Sequence, residues 1–347
     1  MKRIRWSRTF AAIVAVAAVV AVAAASLPDD PYMRFATLDH TIQNRVRWIY
    51  ERIWFDPAPI DIAIIGPSRS GAGVNSPRLQ ADLARLGRPL RTVNFSLPEN
   101  GRDLNWVILE QLLMTKHPRL IVIGVIEKPS RFGHPAYKYV APAAAVIDPA
   151  YFGNLNYLSN LIYLPYRQLR LAAARLTPAW FDLPARFDPT RYGGSNDDTT
   201  STFRAGDGTL VERDRRVPKA ELQQGVIRYE RGIRASLVGP RFAAVEFGDE
   251  RSYVARMAAL AQANHVAVAF LFLPYYTGSP VVQERRFYER YGPVIDGAFV
   301  STRADYYADV AHLNRVGAAV LTDWLAPQIA RLVAAEPRSE PRPKPQQ

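Results

Sequence analysis

Short apolar runs alternate along this chain with longer segments whose apolar residues recur at helical spacing. The apolar runs are bounded by turn-forming or polar residues and lie at residues 60–65, 91–95, 120–126 and 266–273. Runs of this kind are typical of strands buried on both faces of a parallel sheet. The segments with helical spacing lie at residues 77–86, 104–116, 253–264 and 314–332. This alternation predicts an α/β fold in three layers, α/β/α, with a parallel sheet between the helices.

The alternation lapses between residues 148 and 245. This stretch contains a polar loop at residues 193–202, followed by residues 203–213 with an Asp-Gly pair at their centre. An Asp-Gly pair flanked by strand-like residues is a strong hairpin signal. We therefore expect residues 148–245 to be an insertion, or cap, within a domain that spans residues 60–335.

The first 27 residues carry an export or membrane signal. Residues 9–27 form an uncharged run of 19 residues, preceded by four basic residues. A helix of this length just crosses a hydrocarbon layer of ~30 Å, and the basic flank predicts that the N-terminus stays in the cytoplasm. Two alternatives follow, an uncleaved anchor or a signal peptide cut near residues 23–25. The length favours the anchor, which predicts a single-pass inner-membrane protein whose domain lies in the periplasm.

Two further segments flank the predicted domain. Residues 28–59 form a connector with an amphipathic helical pattern at residues 42–55, which contain four aromatic residues. These aromatic side chains lie either at a membrane interface or against the domain. The C-terminal tail, residues 336–347, is rich in Pro and charge with almost nothing to bury, which predicts disorder.

Charge and composition exclude several classes of function. The net charge is +12, but the basic residues beyond the N-terminal segment are spread along the chain without a block. Nucleic-acid binding is therefore not expected, whereas a mildly basic surface suits anionic lipid or glycan. The chain has no cysteine, and no two histidines have metal-ligand spacing. The glycine-rich loop at residues 66–73 lacks the Lys and Ser/Thr of a nucleotide-binding loop, so we expect neither a metal nor a cofactor.

Three polar residues form a candidate catalytic set. Ser68 directly follows the first predicted strand, and Asp309 and His312 precede the last predicted helix. A serine hydroxyl is a weak nucleophile without a neighbouring base; His312 can serve as that base, and Asp309 can orient its ring. A structural alternative exists for each residue: Ser68 as a helix cap, Asp309 as the N-cap of the last helix, and His312 as a surface residue.

The order of these segments resembles the SGNH (GDSL-like) hydrolase superfamily, in particular its membrane-anchored bacterial members. Residues 66–69 (GPSR) resemble the family's Gly-Ser-Ser-Arg variant, residues 94–101 resemble its second block, and residues 309–314 resemble its last block. The resemblance implies a flavodoxin-like fold with Ser68 as the nucleophile. It also implies an oxyanion hole formed by the backbone N–H groups of Ser68 and Gly101.

One position departs from the family pattern. Where the family has Gly-x-Asn-Asp after the third strand, residues 124–127 read GVIE. The missing Asn would donate a hydrogen bond to the oxyanion, and losing one such donor costs about 10²–10³ in rate. Glu127 cannot replace it while ionised, because a carboxylate only accepts. A donor from the cap, or Arg69, would have to take its place, or turnover is slow. Asn100 and His134 are further candidates for lining the site, with a purely structural role as the alternative for His134.

The resemblance implies an exported serine-dependent acyl-ester hydrolase or O-acyltransferase that acts on cell-surface polysaccharide. Its expected partners are an acylated or acyl-accepting glycan, the membrane through the N-terminal helix, and a membrane acyltransferase. The two activities share an acyl-enzyme and differ in whether water or a sugar hydroxyl attacks it. The alternative is a non-catalytic assembly or glycan-binding component with the same fold, which the missing Asn favours.

Overall fold

The structure is a computed structural model. It describes residues 2–127, 130–148, 153–205, 207–232, 238, 240–282 and 284–335. The predicted disordered tail, residues 336–347, lies outside the described residues.

A parallel sheet of five strands forms the centre of the molecule, and a separate hairpin provides two more strands. The strands are β1 (Ile62–Ile65), β2 (Thr92–Asn94), β3 (Leu120–Val125), β4 (Thr202–Arg204), β5 (Leu210–Glu212), β6 (Ala267–Phe272) and β7 (Val294–Asp296). The order in the main sheet is β2-β1-β3-β6-β7, and every neighbouring pair is parallel. The register places Ile64 of β1 beside Val122 of β3, and Ile123 of β3 beside Phe270 of β6.

Helices cover both faces of this sheet. They are α1 (Lys2–Ala25), α2 (Pro31–Ala36), α3 (Arg45–Trp54), α4 (Ser68–Gly73), α5 (Ser76–Arg85), α6 (Arg102–Thr115), α7 (Tyr137–Val140), α8 (Ala143–Ile147), α9 (Tyr157–Leu176), α10 (Lys219–Gly232), α11 (Ala243–Glu246), α12 (Gly248–Ala263), α13 (Arg285–Tyr288) and α14 (Arg315–Ala335). Ala63 and Ile65 of β1 pack into a core shared with α3, α6 and α12. Ile62 and Ile64 pack on the other face, with α5 and α14. The predicted α/β class, with a mostly parallel sheet between helices, is confirmed.

The hairpin β4–β5 stands apart from the main sheet. Its strands pair antiparallel, with Phe203 opposite Val211. At the turn, Gly208 has φ +88°, a value that favours glycine, and the Asp207 carboxylate accepts a hydrogen bond from Thr209 N–H at 2.9 Å. None of the described residues between β3 and β6 joins the five-stranded sheet.

Helix α1 corrects the expectation of a membrane anchor. The helix ends at Ala25, before the end of the apolar run, and it packs against α9. Its uncharged part, residues 9–25, spans roughly 25 Å at 1.5 Å per residue, less than a hydrocarbon layer of ~30 Å. Within the described ranges, no helix is both long enough and apolar enough to cross a membrane. The prediction of a single-pass inner-membrane protein with a periplasmic domain is therefore wrong.

The connector packs on the domain. Helix α3 lies against α6, and its residues Val46, Ile49 and Ile53 are almost fully buried in the core beside the sheet. Of its four aromatic residues, Tyr50 is buried and Trp48 is partly buried against the domain, whereas Trp54 and Phe55 are about 40% exposed.

Candidate active site

Ser68 lies at the carboxyl edge of the sheet, where parallel strands commonly place functional groups. Strand β1 ends at Ile65, and α4 begins at Ser68 after a tight connection. The connection is tight because β1 and β3 come very close to the first turn of α4. A Cβ on Gly124 would lie 1.9 Å from the Ser70 hydroxyl oxygen, and one on Gly66 would lie 2.7 Å from it. These two glycines therefore allow α4, and with it Ser68, to sit directly on the strand ends.

The structure brings together the three residues of the predicted catalytic set. Ser68 Oγ lies 2.7 Å from His312 Nε2. On the other side of the ring, His312 Nδ1 lies 2.9 Å and 3.0 Å from the two carboxylate oxygens of Asp309. With Nδ1 donating to the carboxylate, Nε2 is left to accept the serine proton. This is the arrangement of a nucleophile, a general base and an orienting acid.

A short turn before α14 holds Asp309 and His312 in this geometry. Asp309 Oδ1 accepts hydrogen bonds from the backbone N–H groups of Ala311 and His312, at 2.8 and 2.9 Å. The N-terminus of α14 is capped by Asn314, whose Oδ1 accepts from Val316 N–H and Gly317 N–H at 3.0 Å. Asn314, and not Asp309, is thus the cap of the final helix. Ser68 is not a cap either, because Pro67 occupies that position in α4.

The carboxylate of Asp309 stays ionised over a wide pH range. Burial acts to raise its pKa, but hydrogen bonds from His312 and from the backbone of the turn, together with the charge of His312, hold the pKa below its ordinary value. The side chain of Asp309 is 54% exposed and that of His312 is 25% exposed. An ionised Asp309 can stabilise the imidazolium that forms when His312 takes a proton.

Ser68 lines a cleft of about 460 Å³. The other walls come from α3 and the residues just before it, from residues 96–98 after β2, and from parts of residues 191–213. Trp48 and Phe203 contribute aromatic surface. The segment predicted to cap the site therefore borders the cleft that contains Ser68.

Arg69 and Glu127 form a closed ion pair away from the cleft. Arg69 Nη1 lies 2.5 and 2.6 Å from the two Glu127 carboxylate oxygens and 3.1 Å from Leu273 O, and Nη2 donates to the Tyr229 hydroxyl. The Glu127 carboxylate also accepts from Tyr275 N–H at 2.7 Å. Both side chains are about 5% exposed. Neither Arg69 nor Glu127 is available to an oxyanion at Ser68.

Asn100 and Gly101 end the loop that follows β2, Gly101 packs against His134, and none of the three lines the cleft. A Cβ on Gly101 would lie 2.1 Å from the backbone nitrogen of His134, so only glycine fits there. His134 Nδ1 accepts from Ala136 N–H, and Nε2 donates to Pro98 O at 2.7 Å. Burial lowers the pKa of His134 to about 4, so the ring is neutral and fixes the loop. The Asn100 Oδ1 atom is buried without a partner among the described residues.

Two residues of the cleft were missed in the sequence. Ser96 lies just after β2 and borders the cleft, and its hydroxyl is buried without a hydrogen-bond partner among the described residues. The signal that could have found it is its place after a strand next to β1. Arg213 reaches the cleft from the end of the β4–β5 hairpin, and no local pattern in the sequence predicts that position.

Metal and family comparisons give no further identification. Within the part of the chain that the structure describes, no group of three His, Asp or Glu side chains could hold a metal ion. Comparison with protein-family models finds no match, and comparison with curated proteins finds none. The functional assignment therefore rests on the geometry of the site itself.

Proposed function

We propose that this protein is a serine-dependent acyl-ester hydrolase or O-acyltransferase of the SGNH type. The single observation that carries the proposal is the hydrogen-bonded chain from Ser68 through His312 to Asp309, which begins in an open cleft at the carboxyl edge of the sheet. A fold of this class with a strand order of β2-β1-β3-β6-β7 supports the flavodoxin-like assignment. In this proposal residues 148–245 are the cap of the domain.

The reaction proceeds through an acyl-enzyme. Ser68 Oγ attacks the ester carbonyl while His312 Nε2 takes the hydroxyl proton, and Asp309 stabilises the resulting imidazolium. The tetrahedral intermediate collapses when His312 returns that proton to the departing alkoxide oxygen. Water or a second hydroxyl then attacks the acyl-enzyme, with His312 again accepting and returning the proton. The first nucleophile gives hydrolysis and the second gives acyl transfer.

The oxyanion needs donors that do not depend on the missing Asn. We assign this role to the backbone N–H of Ser68, as the resemblance implies, and to the hydroxyl of Ser96; Gly101, the other donor that the resemblance implies, does not line the cleft. Ser96 supports this assignment because the residue borders the cleft and its buried Oγ has no hydrogen-bond partner among the described residues. A preorganised hydroxyl donor can stabilise the negative charge that develops on this oxygen.

The substrate class rests on the resemblance of the motif order to SGNH proteins that act on cell-surface polysaccharide. A cleft of about 460 Å³ is within the range of ordinary small-molecule sites. Such a volume accommodates the acylated part of a glycan rather than a whole polymer. An acylated or acyl-accepting glycan is thus the proposed partner.

One observation favours a second candidate, a non-catalytic glycan-binding component. Ile126 stands where the family has its oxyanion Asn, and the neighbouring Glu127 is bound by Arg69 and Tyr275 N–H. In this alternative the hydrogen-bonded set of Ser68 and His312 is a remnant that binds without turnover.

A serine-directed fluorophosphonate tests the choice. The wild-type protein should be labelled at Ser68, and Ser68→Ala should abolish the labelling, because the reagent requires an activated hydroxyl. Ser159→Ala is a matched control, since the Ser159 hydroxyl is exposed and bonds only the backbone of Asn156. A folded wild-type protein that resists the reagent would contradict the enzyme proposal and favour the non-catalytic one.

A further inference from the structure

Arg213 is fixed at the mouth of the cleft by the hairpin and the final helix. Its backbone N–H donates to Ser201 O at 2.8 Å, and its carbonyl oxygen accepts from Arg315 N–H at 3.0 Å. Its guanidinium carbon lies 4.5 Å from the centre of the Phe203 ring. The side chain is therefore held in one direction, towards the cleft that Ser68 also lines.

The guanidinium of Arg213 has no acceptor among the described residues. Its Nε is buried and unbonded, and no carboxylate of the described chain lies within ion-pair distance. The two arginines that α3 contributes to the cleft differ from Arg213, because each is paired with a carboxylate. Arg45 is paired with Asp197 at 2.6 Å, and Arg47 is paired with Asp39 and Glu51. Arg213 is thus a cation whose guanidinium has no hydrogen-bond acceptor within the described chain, and whose Nε is also hidden from solvent.

A partly buried cation without a partner is costly, and an arginine does not escape the cost by losing its proton. Burial lowers the pKa of Arg213, and the charge of Asp309 opposes that effect. Two further arginines of the cleft, Arg191 and Arg204, are exposed to solvent and add positive charge to the same opening. An anion with two acceptor oxygens would satisfy the Arg213 guanidinium, because a planar guanidinium binds two such oxygens side by side.

We propose that Arg213 binds a carboxylate of the substrate, so that the cleft selects esters that carry a negative charge close to the scissile bond. The inference builds on the proposed function, because it places the carboxylate next to Ser68. The carboxylate can belong to the sugar, as in a uronic acid, or to the acyl group, as in a succinyl ester. Arg213 is then a specificity residue supplied by the inserted segment.

The sugar source is tested by calorimetry in the Ser68→Ala background, where binding needs no turnover. Trigalacturonic acid is compared with its methyl ester, which keeps the backbone and removes the charge. The acyl source is tested by hydrolysis of 4-nitrophenyl succinate against 4-nitrophenyl acetate. We expect at least one charged probe to be preferred over its neutral match by about tenfold to hundredfold, the usual range for a charged hydrogen bond.

Arg213→Gln should remove that preference, and Arg213→Lys should retain part of it, which also shows that the site still folds. Arg215→Gln is the matched control, because Arg215 is exposed and paired with Glu221 outside the cleft. The inference is overturned if neither charged probe is preferred, or if the preference survives Arg213→Gln. A charge preference in calorimetry without any labelling of Ser68 would sink the enzyme proposal and leave the role of Arg213 standing. Labelling of Ser68 without a charge preference would support the enzyme proposal and overturn the role of Arg213.

Discussion

Two polar clusters start from neighbouring residues at the carboxyl edge of the sheet and differ in almost every other respect. The first is an open cluster of Ser68, His312 and Asp309, in which Ser68 lines the cleft and the side chains of His312 and Asp309 are 25% and 54% exposed. The second is a closed cluster of Arg69 and Glu127, which is almost fully buried. In the closed cluster Glu127 is met by a guanidinium and a backbone N–H, whereas in the open cluster Ser68 lines the cleft and its Oγ meets His312 Nε2.

The difference shows that adjacency in sequence does not make a shared site. A buried ion pair with satisfied hydrogen bonds is costly to break, and its effect is on folding and not on reactivity. A partly exposed chain of a hydroxyl, an imidazole and a carboxylate can pass a proton without unfolding anything. Substitutions in the two clusters should therefore separate chemistry from stability.

The largest effect is expected at the base of the open cluster. His312→Ala leaves Ser68 with no group to take its proton, so the rate of fluorophosphonate labelling should fall by at least about 10⁴-fold, or about 5.5 kcal/mol in barrier. The free energy of unfolding in urea should change by less than about 1 kcal/mol, because the side chain is partly exposed. Unchanged labelling would show that Ser68 is activated by another group.

The closed cluster should respond in the opposite way. Arg69→Met leaves the Glu127 carboxylate buried and facing only a backbone N–H, which should cost about 3–5 kcal/mol in urea unfolding. Arg69→Met combined with Glu127→Gln removes the charge but keeps an acceptor for Tyr275 N–H, so most of that loss should be recovered.

A surface pair provides the control for this effect. Arg78 and Asp323 are both about half exposed, and Arg78→Met should cost no more than about 1 kcal/mol. If Arg69→Met were as mild as Arg78→Met, the closed cluster would not be a stabilising element, and Arg69 would be free for another role.

The third effect concerns the donor to the oxyanion. Ser96→Ala removes one side-chain donor from the open cluster, and kcat for a 4-nitrophenyl ester should fall by about 10²-fold, or about 2.7 kcal/mol, with little change in KM. The backbone of Ser96 keeps its contact with Arg45, so the loop should stay in place. An unchanged kcat would assign the oxyanion to backbone donors alone.

The strands were predictable because they are buried on both faces and therefore read as continuous apolar runs. Four of the five strands in the main sheet were found to within two residues at each end, as for β3 (Leu120–Val125). The fifth, β7 (Val294–Asp296), was missed because it is a three-residue edge strand that ends in an acid. The membrane expectation failed because the helix ends at Ala25 and not at the end of the apolar run.

The site was predictable only where its residues sit at recognisable places along the chain. Ser68 follows a strand, and Asp309 and His312 share one turn, so their spacing carries information. Ser96 also follows a strand, next to β1, and was overlooked, whereas Arg213 has no such marker. The position of Arg213 depends on how a hairpin outside the main sheet folds back against residues 201 and 315, and that contact has no local pattern.

The contrast between open and closed groups also separates the two histidines. His312 Nε2 contacts Ser68 Oγ at the cleft, whereas the buried ring of His134 donates a hydrogen bond to Pro98 O. The pKa of His134 is lowered by burial to about 4, against about 6.5 in an unfolded chain. Below pH 6.5 His134 is therefore protonated in the unfolded state but stays neutral in the folded state. The folded state loses stability relative to the unfolded state until the pH reaches about 4.

Replacing this ring should flatten that part of the pH dependence, which is the smallest effect expected. His134→Gln can still donate to Pro98 O but cannot be protonated, so between pH 7 and pH 5 it should gain about 2 kcal/mol relative to the wild type in urea unfolding.

Asp103 accepts the backbone N–H of His134, and burial raises the pKa of Asp103 to about 7. That acid stabilises the folded state as the pH falls from 7 to 4, so Asp103→Asn should lose stability relative to the wild type over the same interval. A parallel pH dependence for His134→Gln and the wild type would mean that His134 is accessible to protons in the folded protein, and the distinction between the two histidines would fail.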